Sequence, residues 1–296
     1  PAQKDMASAK GWKPSAHIWR GKKVEEICEI CPRHCKINRK KNVGFCNEFN
    51  KIRISKIIDH FKWEEPCLTD EKGVCAIFFS GCNLKCDYCQ NYEISCGQVG
   101  KEYSAEEFAN LLREKEKDNS YFDFITPTHF SNEILSAFKI YRPKIPVIWN
   151  SSSYEEVEIL KKLDEFVDIY LLDLKYADNF VGRKYSNCHD YFDKASKVLD
   201  FCAQKKDVFK DNLLRQGLII RHLVLPNEID NSLKVIDHIA ENFPDRIVSV
   251  MSQFTPTAKS SIKRKLTPLE YKIVQKHALN KLTKGYFQDF DSAEDS

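Results

Sequence analysis

An α/β fold built on a parallel sheet is the architecture this chain predicts, and three observations predict it. Six short apolar runs recur between residues 74 and 253. Amphipathic stretches with helix-start signals separate them. Polar residues collect just past the carboxyl end of each run, where parallel sheets bind ligands. Runs of strand length alternating with helices imply parallel strands joined by right-handed crossovers. Six units rather than eight make the sheet an open or partial barrel.

Residues 1–27 read as an extension. Pro1–Pro14 is polar and basic without the apolar core of a secretory signal, and the chain starts on Pro1 rather than Met, as a processed chain does. Residues 28–73 read as a small cysteine-rich lobe and connector. Cys28-x2-Cys31-Pro-Arg-His34-Cys35 is followed after ten residues by Cys46, behind Gly44-Phe45. Four thiols in two close sets have the spacing of a closed tetrahedral site, with His34 able to replace one. Zinc and a second iron–sulfur cluster share that spacing. Ile52, Ile54 and Ile57 read as a strand or hairpin joining lobe to core, and Trp63-Glu64-Glu65-Pro66 as a solvated turn that ends it.

The core spans residues 74–286. Its strand candidates are Cys75–Phe79, Phe122–Thr126, Val147–Asn150, Val167–Leu174, Leu218–Leu225 and Ile247–Gln253. Ser104-Ala-Glu-Glu107 and Ser153-Tyr-Glu-Glu156 fit a capping box, in which hydroxyl and carboxylate satisfy free N–H groups reciprocally. Phe108, Leu111 and Leu112 follow the first at helical spacing, and Val157, Leu160 and Leu163 the second. Asp230 or Asn231 is the cap expected for a helix carrying Leu233, Ile236 and Ile239. A last helix runs from Pro268 to about Leu282, with Thr267 as N-cap and Pro268 in the first position. Residues 287–296 read as a disordered acidic tail.

Composition narrows the function classes. Apolar residues make up 42% and charged residues 30%, and the net charge of +3 gives no case for nucleic acid or a membrane surface as partner. No apolar run approaches the roughly 20 residues that span a bilayer. Twelve cysteines would suit a disulfide scaffold, but seven fall into two tight clusters. That grouping points to metal ligands in a reducing, oxygen-poor cytoplasm. Cys67, Cys75, Cys96, Cys188 and Cys202 read as ordinary free thiols.

The second cluster follows the first core strand. After the apolar run Val74–Phe79, Ser80-Gly81 breaks the strand, and Cys82, Cys86 and Cys89 come in one loop. Soft thiolates select iron–sulfur or zinc centres, so an iron–sulfur cluster, a zinc knuckle and a redox pair all share these donors. Three ligands rather than four would leave one iron of a four-iron cubane without a protein ligand.

This stretch resembles the radical S-adenosylmethionine (SAM) superfamily, whose signature is C-x3-C-x2-C with an aromatic residue before the last cysteine. Cys82, Cys86, Tyr88 and Cys89 carry the match. The resemblance implies a [4Fe–4S] cluster whose open iron chelates SAM. It further implies reductive cleavage of SAM to a 5′-deoxyadenosyl radical, a (β/α)6 TIM-like partial barrel, and Tyr88 near the adenine. The stretches G-C-N-L-K-C-D-Y-C-Q-N-Y-E-I-S, T-P-T-H, D-I-Y-L-L-D-L-K-Y, R-H-L-V-L-P and M-S-Q-F narrow the resemblance. They look like uncharacterised radical SAM proteins similar to pyruvate formate-lyase activating enzyme. On that resemblance Asp173 and Lys175 match a D-x-K beside the SAM carboxylate and sulfonium, and Arg221 matches a basic residue of the fifth strand. Asn150 and Ser152 fall where the ribose would lie, and Gln253 ends the sixth strand.

One departure stands out. The superfamily's Gly-Gly-Glu, which holds the methionine amine, is replaced by Thr126-Pro127-Thr128-His129. Proline offers no N–H, so carbonyls and the hydroxyls of Thr126 and Thr128 are expected to meet the amine. That leaves His129 for an acid–base role or for a structural one. Asp173 and Lys175 share a strand face and would also make a structural ion pair.

The function expected is hydrogen abstraction by a SAM-derived radical, with an electron donor such as flavodoxin or ferredoxin. A glycyl-radical activator would act on a partner protein, and the alternative within the class modifies a small molecule or peptide. A non-catalytic iron–sulfur or zinc carrier is the rival from another class.

Overall fold

The computed structural model describes residues 27–62 and 65–290. Ten strands follow in chain order: β1 (Ile52–Phe61), β2 (Val74–Phe79), β3 (Lys101–Tyr103), β4 (Tyr121–Ile125), β5 (Val147–Ser151), β6 (Ile169–Asp173), β7 (Val208–Lys210), β8 (Leu213–Leu223), β9 (Ile247–Met251) and β10 (Gly285–Phe287). They form one sheet in the order β10-β9-β8-β6-β5-β4-β2-β1-β3, with β7 a side hairpin on β8. The six expected strands β2, β4, β5, β6, β8 and β9 are parallel throughout. Two additions were not foreseen. β10 adds a seventh parallel strand on β9, and β1 pairs antiparallel with both β2 and β3. The connector is therefore part of the sheet, not a tether.

Among the described residues there are eight α-helices: α1 (Tyr92–Ser95), α2 (Ala105–Lys115), α3 (Ser131–Ile140), α4 (Val157–Leu163), α5 (Asn179–Ser186), α6 (Tyr191–Cys202), α7 (Ile229–Asn242) and α8 (Pro268–Lys281). The Ser104/Glu107 capping box forms, and Thr267 caps α8 in a second box with Glu270. Two expected caps do not form. α4 begins only at Val157, because Ser153 stands at φ +61° and gives its hydroxyl to the Asp173 carbonyl. α7 begins at Ile229, and Asn231 inside its first turn accepts from the Ala177 N–H instead. Side chains that are free to cap in sequence are claimed here by neighbouring strands.

Strand periodicity builds two environments. Outward positions such as Phe79, Phe124, Trp149 and Leu172 are buried against the helices, and deleting Trp149 to Ala would cost about 3–5 kcal/mol. Inward positions at the amino ends (Val74, Tyr121, Ile148, Ile169, Ile219, Ile247) form a second apolar cluster with Cys67 and Leu68. The short helix Pro66–Leu68 contributes those last two residues. Glu65 just before it is fully buried, which overturns the solvated-turn expectation for that residue. Glu64 and Trp63 lie outside the described residues. Further along the strands the inward positions turn polar: Asp123, Asn150, Arg221 and Ser249 two residues on, and Asp173 four residues on.

The tail expectation is corrected at its near end. Phe287 is in β10, and Gln288 accepts the N–H groups of Ser252 and Gln253 through Oε1. Residues 291–296 lie outside the described residues, as does the extension 1–26. Among the described residues no helix is long and apolar enough to cross a membrane.

Candidate active site

The carboxyl ends of the parallel strands open on a cavity of about 230 Å³. Cys82, Cys86 and Cys89 line one side, with Tyr88 between them. The loop that carries them leaves β2 through Gly81 at φ +81°, where a Cβ would come 2.6 Å from the Cys46 carbonyl oxygen. Only glycine fits both the left-handed backbone and that close approach. Cys82 Sγ accepts the N–H groups of Leu84 and Lys85 at 3.3 and 3.5 Å. Cys86 Sγ accepts the Ser186 hydroxyl at 3.1 Å and lies 3.8 Å from the Tyr176 hydroxyl.

An ionic chain lines the same cavity as the thiols. Asp173 Oδ2 takes Lys175 Nζ at 2.6 Å and Oδ1 takes Arg221 Nε at 2.7 Å. Arg221 Nη2 donates to Asn150 Oδ1 at 2.8 Å, and Asn150 Nδ2 donates to Asp123 Oδ2 at 3.1 Å. Burial works to raise the Asp173 pKa, but Arg221 and Lys175 outweigh it and hold the carboxyl down at about 2. Burial works to lower the Lys175 pKa, and Asp173 with the neighbouring Cys86 raises it above its ordinary value instead. Both therefore carry full charge at neutral pH.

Asn150, Ser152, Asp173, Lys175, Arg221, Gln253 and Thr126 all reach this cavity with the three thiols. Thr126 stands at φ +60°, a conformation that costs a β-branched residue on the order of 1–3 kcal/mol, and its N–H is tied to the Asn150 carbonyl. Thr128 and His129 do not join the lining, against the amine-binding role expected of Thr128 and the acid–base one of the two roles open to His129. The short helix Thr128–Phe130 turns both inward. The Thr128 hydroxyl goes to Glu155, and His129 Nε2 meets the Ser80 carbonyl at 2.6 Å. Burial, helped by the Arg39 charge, depresses the His129 pKa to about 3. It is a neutral structural histidine.

The lobe cysteines lie apart from the cavity. Burial, helped by the neighbouring cysteines of the lobe, takes the Cys31 thiol up to about 12 and Cys46 to about 11. The Phe45 N–H points at Cys35 Sγ at 3.2 Å. His34 instead pairs with Glu156 at 2.8 Å, on the exposed side. Among the described residues no three Cys, His, Asp or Glu side chains are gathered tightly enough to hold a metal ion, in the lobe or at Cys82, Cys86 and Cys89 alike.

Sequence reasoning missed Ser186 and Tyr176. Ser186 is delivered by the end of α5, where Asn187 takes the left-handed cap at φ 45°. The Tyr176 hydroxyl bonds both Tyr88 (2.9 Å) and Ser186 (2.6 Å). Only the Asn at a helix stop hinted at the first.

A family model matches this chain over residues 76–251: that of the Radical SAM superfamily. The chain belongs to the radical SAM superfamily. The matched span runs from β2 to β9 and leaves the four-cysteine lobe outside. An uncharacterised protein of Methanocaldococcus jannaschii is 32% identical over 262 residues, covering 83% of this chain and 72% of that protein. Two solved structures share the fold at TM-score 0.50. SuiB from Streptococcus suis is 14% identical over 71% of this chain and 47% of its own. A radical SAM methyltransferase from Sphaerobacter thermophilus is 11% identical over 72% of this chain and 65% of its own. The chain thus spans about half to two thirds of the length of those two structures.

Radical SAM membership implies a [4Fe–4S] cluster and SAM, and the donor set fits both. Burial raises the Cys82 and Cys89 thiols, Cys89 to about 12, and the neighbouring thiols push the same way. Cys82 and Cys89, so raised, ionise together only beside a cationic centre, which iron provides. Asp173, Lys175 and Arg221 face them with the fixed charges that a zwitterionic amino-acid group requires.

Proposed function

We propose that Cys82, Cys86 and Cys89 hold a [4Fe–4S] cluster, and that the polar strand ends beside them receive SAM. What carries this reading is one cavity joining the three thiols to the Asp173–Lys175–Arg221 chain. When bound, cluster and SAM supply a 5′-deoxyadenosyl radical that takes a hydrogen atom from the substrate.

The protein's own contribution is charge and shape. An ammonium has three donors and the Asp173 contact uses one, so Lys175 can also meet a carboxylate. Asp173 fixes Lys175 and Arg221 in place, and Asn150 with Ser152 offers polar groups to a ribose. The Thr126 hydroxyl and nearby carbonyls replace the glycine-rich backbone in meeting the amine. Tyr88, buried edge-on to Tyr185 and Phe254, makes an apolar wall for an adenine. Its position also shields the site from water.

Within this class the motif set resembles activating enzymes, while the missing Gly-Gly-Glu and the four-cysteine lobe weigh against a glycyl-radical activator. That type and a small-molecule or peptide modifier therefore both stand, with a flavodoxin or ferredoxin as donor in a reducing cytoplasm. The lobe cysteines Cys28, Cys31, Cys35 and Cys46 are assigned a second metal, zinc or iron–sulfur, because four mutually close thiols have no disulfide among them. Protein reconstituted anaerobically with iron and sulfide, then given dithionite and SAM, should form 5′-deoxyadenosine, and Cys86→Ala should not. Equal product from both would refute the reading. Adding cell extract then separates a glycyl-radical signal on a protein from a modified small molecule or peptide.

A further inference from the structure

Arg33 sits between Cys31 and Cys35, yet its guanidinium reaches out of the lobe. Nε donates to the Asn83 carbonyl at 2.8 Å, and Nη2 donates to the Leu84 carbonyl at 3.2 Å. Nη2 also meets the Ser186 carbonyl at 3.0 Å, and Nη1 the Asn187 carbonyl at 2.8 Å. The Phe45 ring covers the guanidinium 3.9 Å from its centroid. One lobe side chain thus holds two carbonyls of the cysteine loop and two at the end of α5.

The first two carbonyls belong to particular peptide planes. A trans peptide unit is rigid, with its C=O and the next N–H pointing opposite ways. The unit bearing the Asn83 carbonyl carries the Leu84 N–H, which points at Cys82 Sγ. The unit bearing the Leu84 carbonyl carries the Lys85 N–H, directed at the same sulfur. Lys85 adopts φ +53° to allow it. Arg33 holds both planes by their oxygen ends, so their N–H ends stay on sulfur. A cation at the oxygen end also polarises each amide toward a stronger donor. At α5 it anchors the backbone of Ser186, whose hydroxyl donates to Cys86 Sγ.

We propose that Arg33 is a positioning residue for the cluster: acting through two peptide planes and Ser186, it sets the hydrogen bonds to the Cys82 and Cys86 sulfurs and thereby the cluster's reduction potential. This rests on Cys82, Cys86 and Cys89 being the cluster ligands. Hydrogen bonds to ligand sulfurs stabilise the electron-rich reduced state and raise the potential. The lobe then tunes the chemistry without any of its cysteines lining the cavity. Lysine substitutes only in part, because only the planar guanidinium presents a fork of donors to four carbonyls.

The test uses the full chain, reconstituted with iron and sulfide, as wild type, Arg33→Ala, Arg33→Lys and Cys86→Ala. Iron per chain and the midpoint potential, from an electron paramagnetic resonance titration with dithionite, are read for each. Arg33→Ala should keep its iron and shift to a more negative potential with an altered reduced-state spectrum, and Arg33→Lys should fall between. A wild-type potential in an iron-loaded Arg33→Ala protein overturns the proposal. If that variant fails to load, Arg33→Lys decides, and a wild-type potential there overturns it equally. Iron content in Cys86→Ala equal to wild type overturns the ligand assignment and the proposal with it. Loss of iron in Cys86→Ala with an unmoved potential in the Arg33 variants removes only the role of Arg33.

Discussion

Asp173 and Arg221 face each other in register on neighbouring parallel strands, and Arg221 Nε lies 2.7 Å from Asp173 Oδ1. Their side chains are 17% and 10% exposed, so the pair is largely out of water. With Lys175 on its other oxygen, this carboxylate links two cations at the cavity wall.

Removing that carboxylate should therefore cost more than a surface ion pair. Asp173→Asn leaves two adjacent cations and should destabilise the fold by about 3 kcal/mol, measured by urea unfolding at pH 7. Because the folded pKa is held near 2, below the ordinary 3.8, the wild-type contribution is present above pH 4. It is lost as pH falls through 2, and amounts to on the order of 2 kcal/mol. Asp173→Asn should lack that acid-side loss.

Two buried histidines should dominate the milder acid range. Burial lowers His129 to about 3 and His222 to about 4, against 6.5 for both in the open chain. Between those values the unfolded chain binds protons that the fold excludes, so stability is full above pH 6.5 and falls toward pH 4. The His129 share is on the order of 5 kcal/mol if the whole interval is crossed. His129→Gln should flatten the slope of unfolding free energy between pH 6.5 and 5, and an unchanged slope would show that His129 titrates normally.

Metal content should separate the two cysteine sets. Elemental analysis of reconstituted protein should show that Cys89→Ser loses about four iron at the cavity, the complement of one cubane cluster. Cys28→Ser should lose only the lobe's zinc or iron. Loss of neither metal in Cys28→Ser would leave the lobe thiols as free cysteines.

Thr126 gives a test that divides stability from binding. Thr126→Gly relieves the left-handed backbone and should melt at or above the wild-type temperature, whereas Thr126→Ala keeps the strain. Both should weaken SAM binding in calorimetry if the hydroxyl meets the amine. Unchanged affinity in both would assign that contact to backbone carbonyls alone.

Much of the site could be read from local pattern, and the reasons are specific. Cys82, Cys86 and Cys89 stand within one loop, so spacing alone gathers them. Asp173, Lys175 and Asn150 sit at ends of apolar runs, and strand alternation turns them inward without knowledge of their neighbours. Thr128 and His129 carried the same local signal and went elsewhere, because a one-turn helix after Pro127 redirected both to Glu155 and Ser80. The Ser153–Glu156 cap failed for a similar reason: Ser153 gives its hydroxyl to the Asp173 carbonyl, and the Glu156 carboxylate meets Lys194 and His34.

The chain's pattern determined the parallel core, its strand order of use and the three-thiol loop, since each depends on periodicity or on spacing within a few residues. Only the tertiary structure decided that the connector strand joins the sheet, that residues after 284 close its other end, and that Arg33 bridges the lobe to Asn83, Leu84 and Ser186. Those contacts link positions 50 to 153 residues apart. No local period encodes such a pairing. It exists because the folded backbone presents carbonyls that need donors, and one guanidinium stands where it can satisfy four.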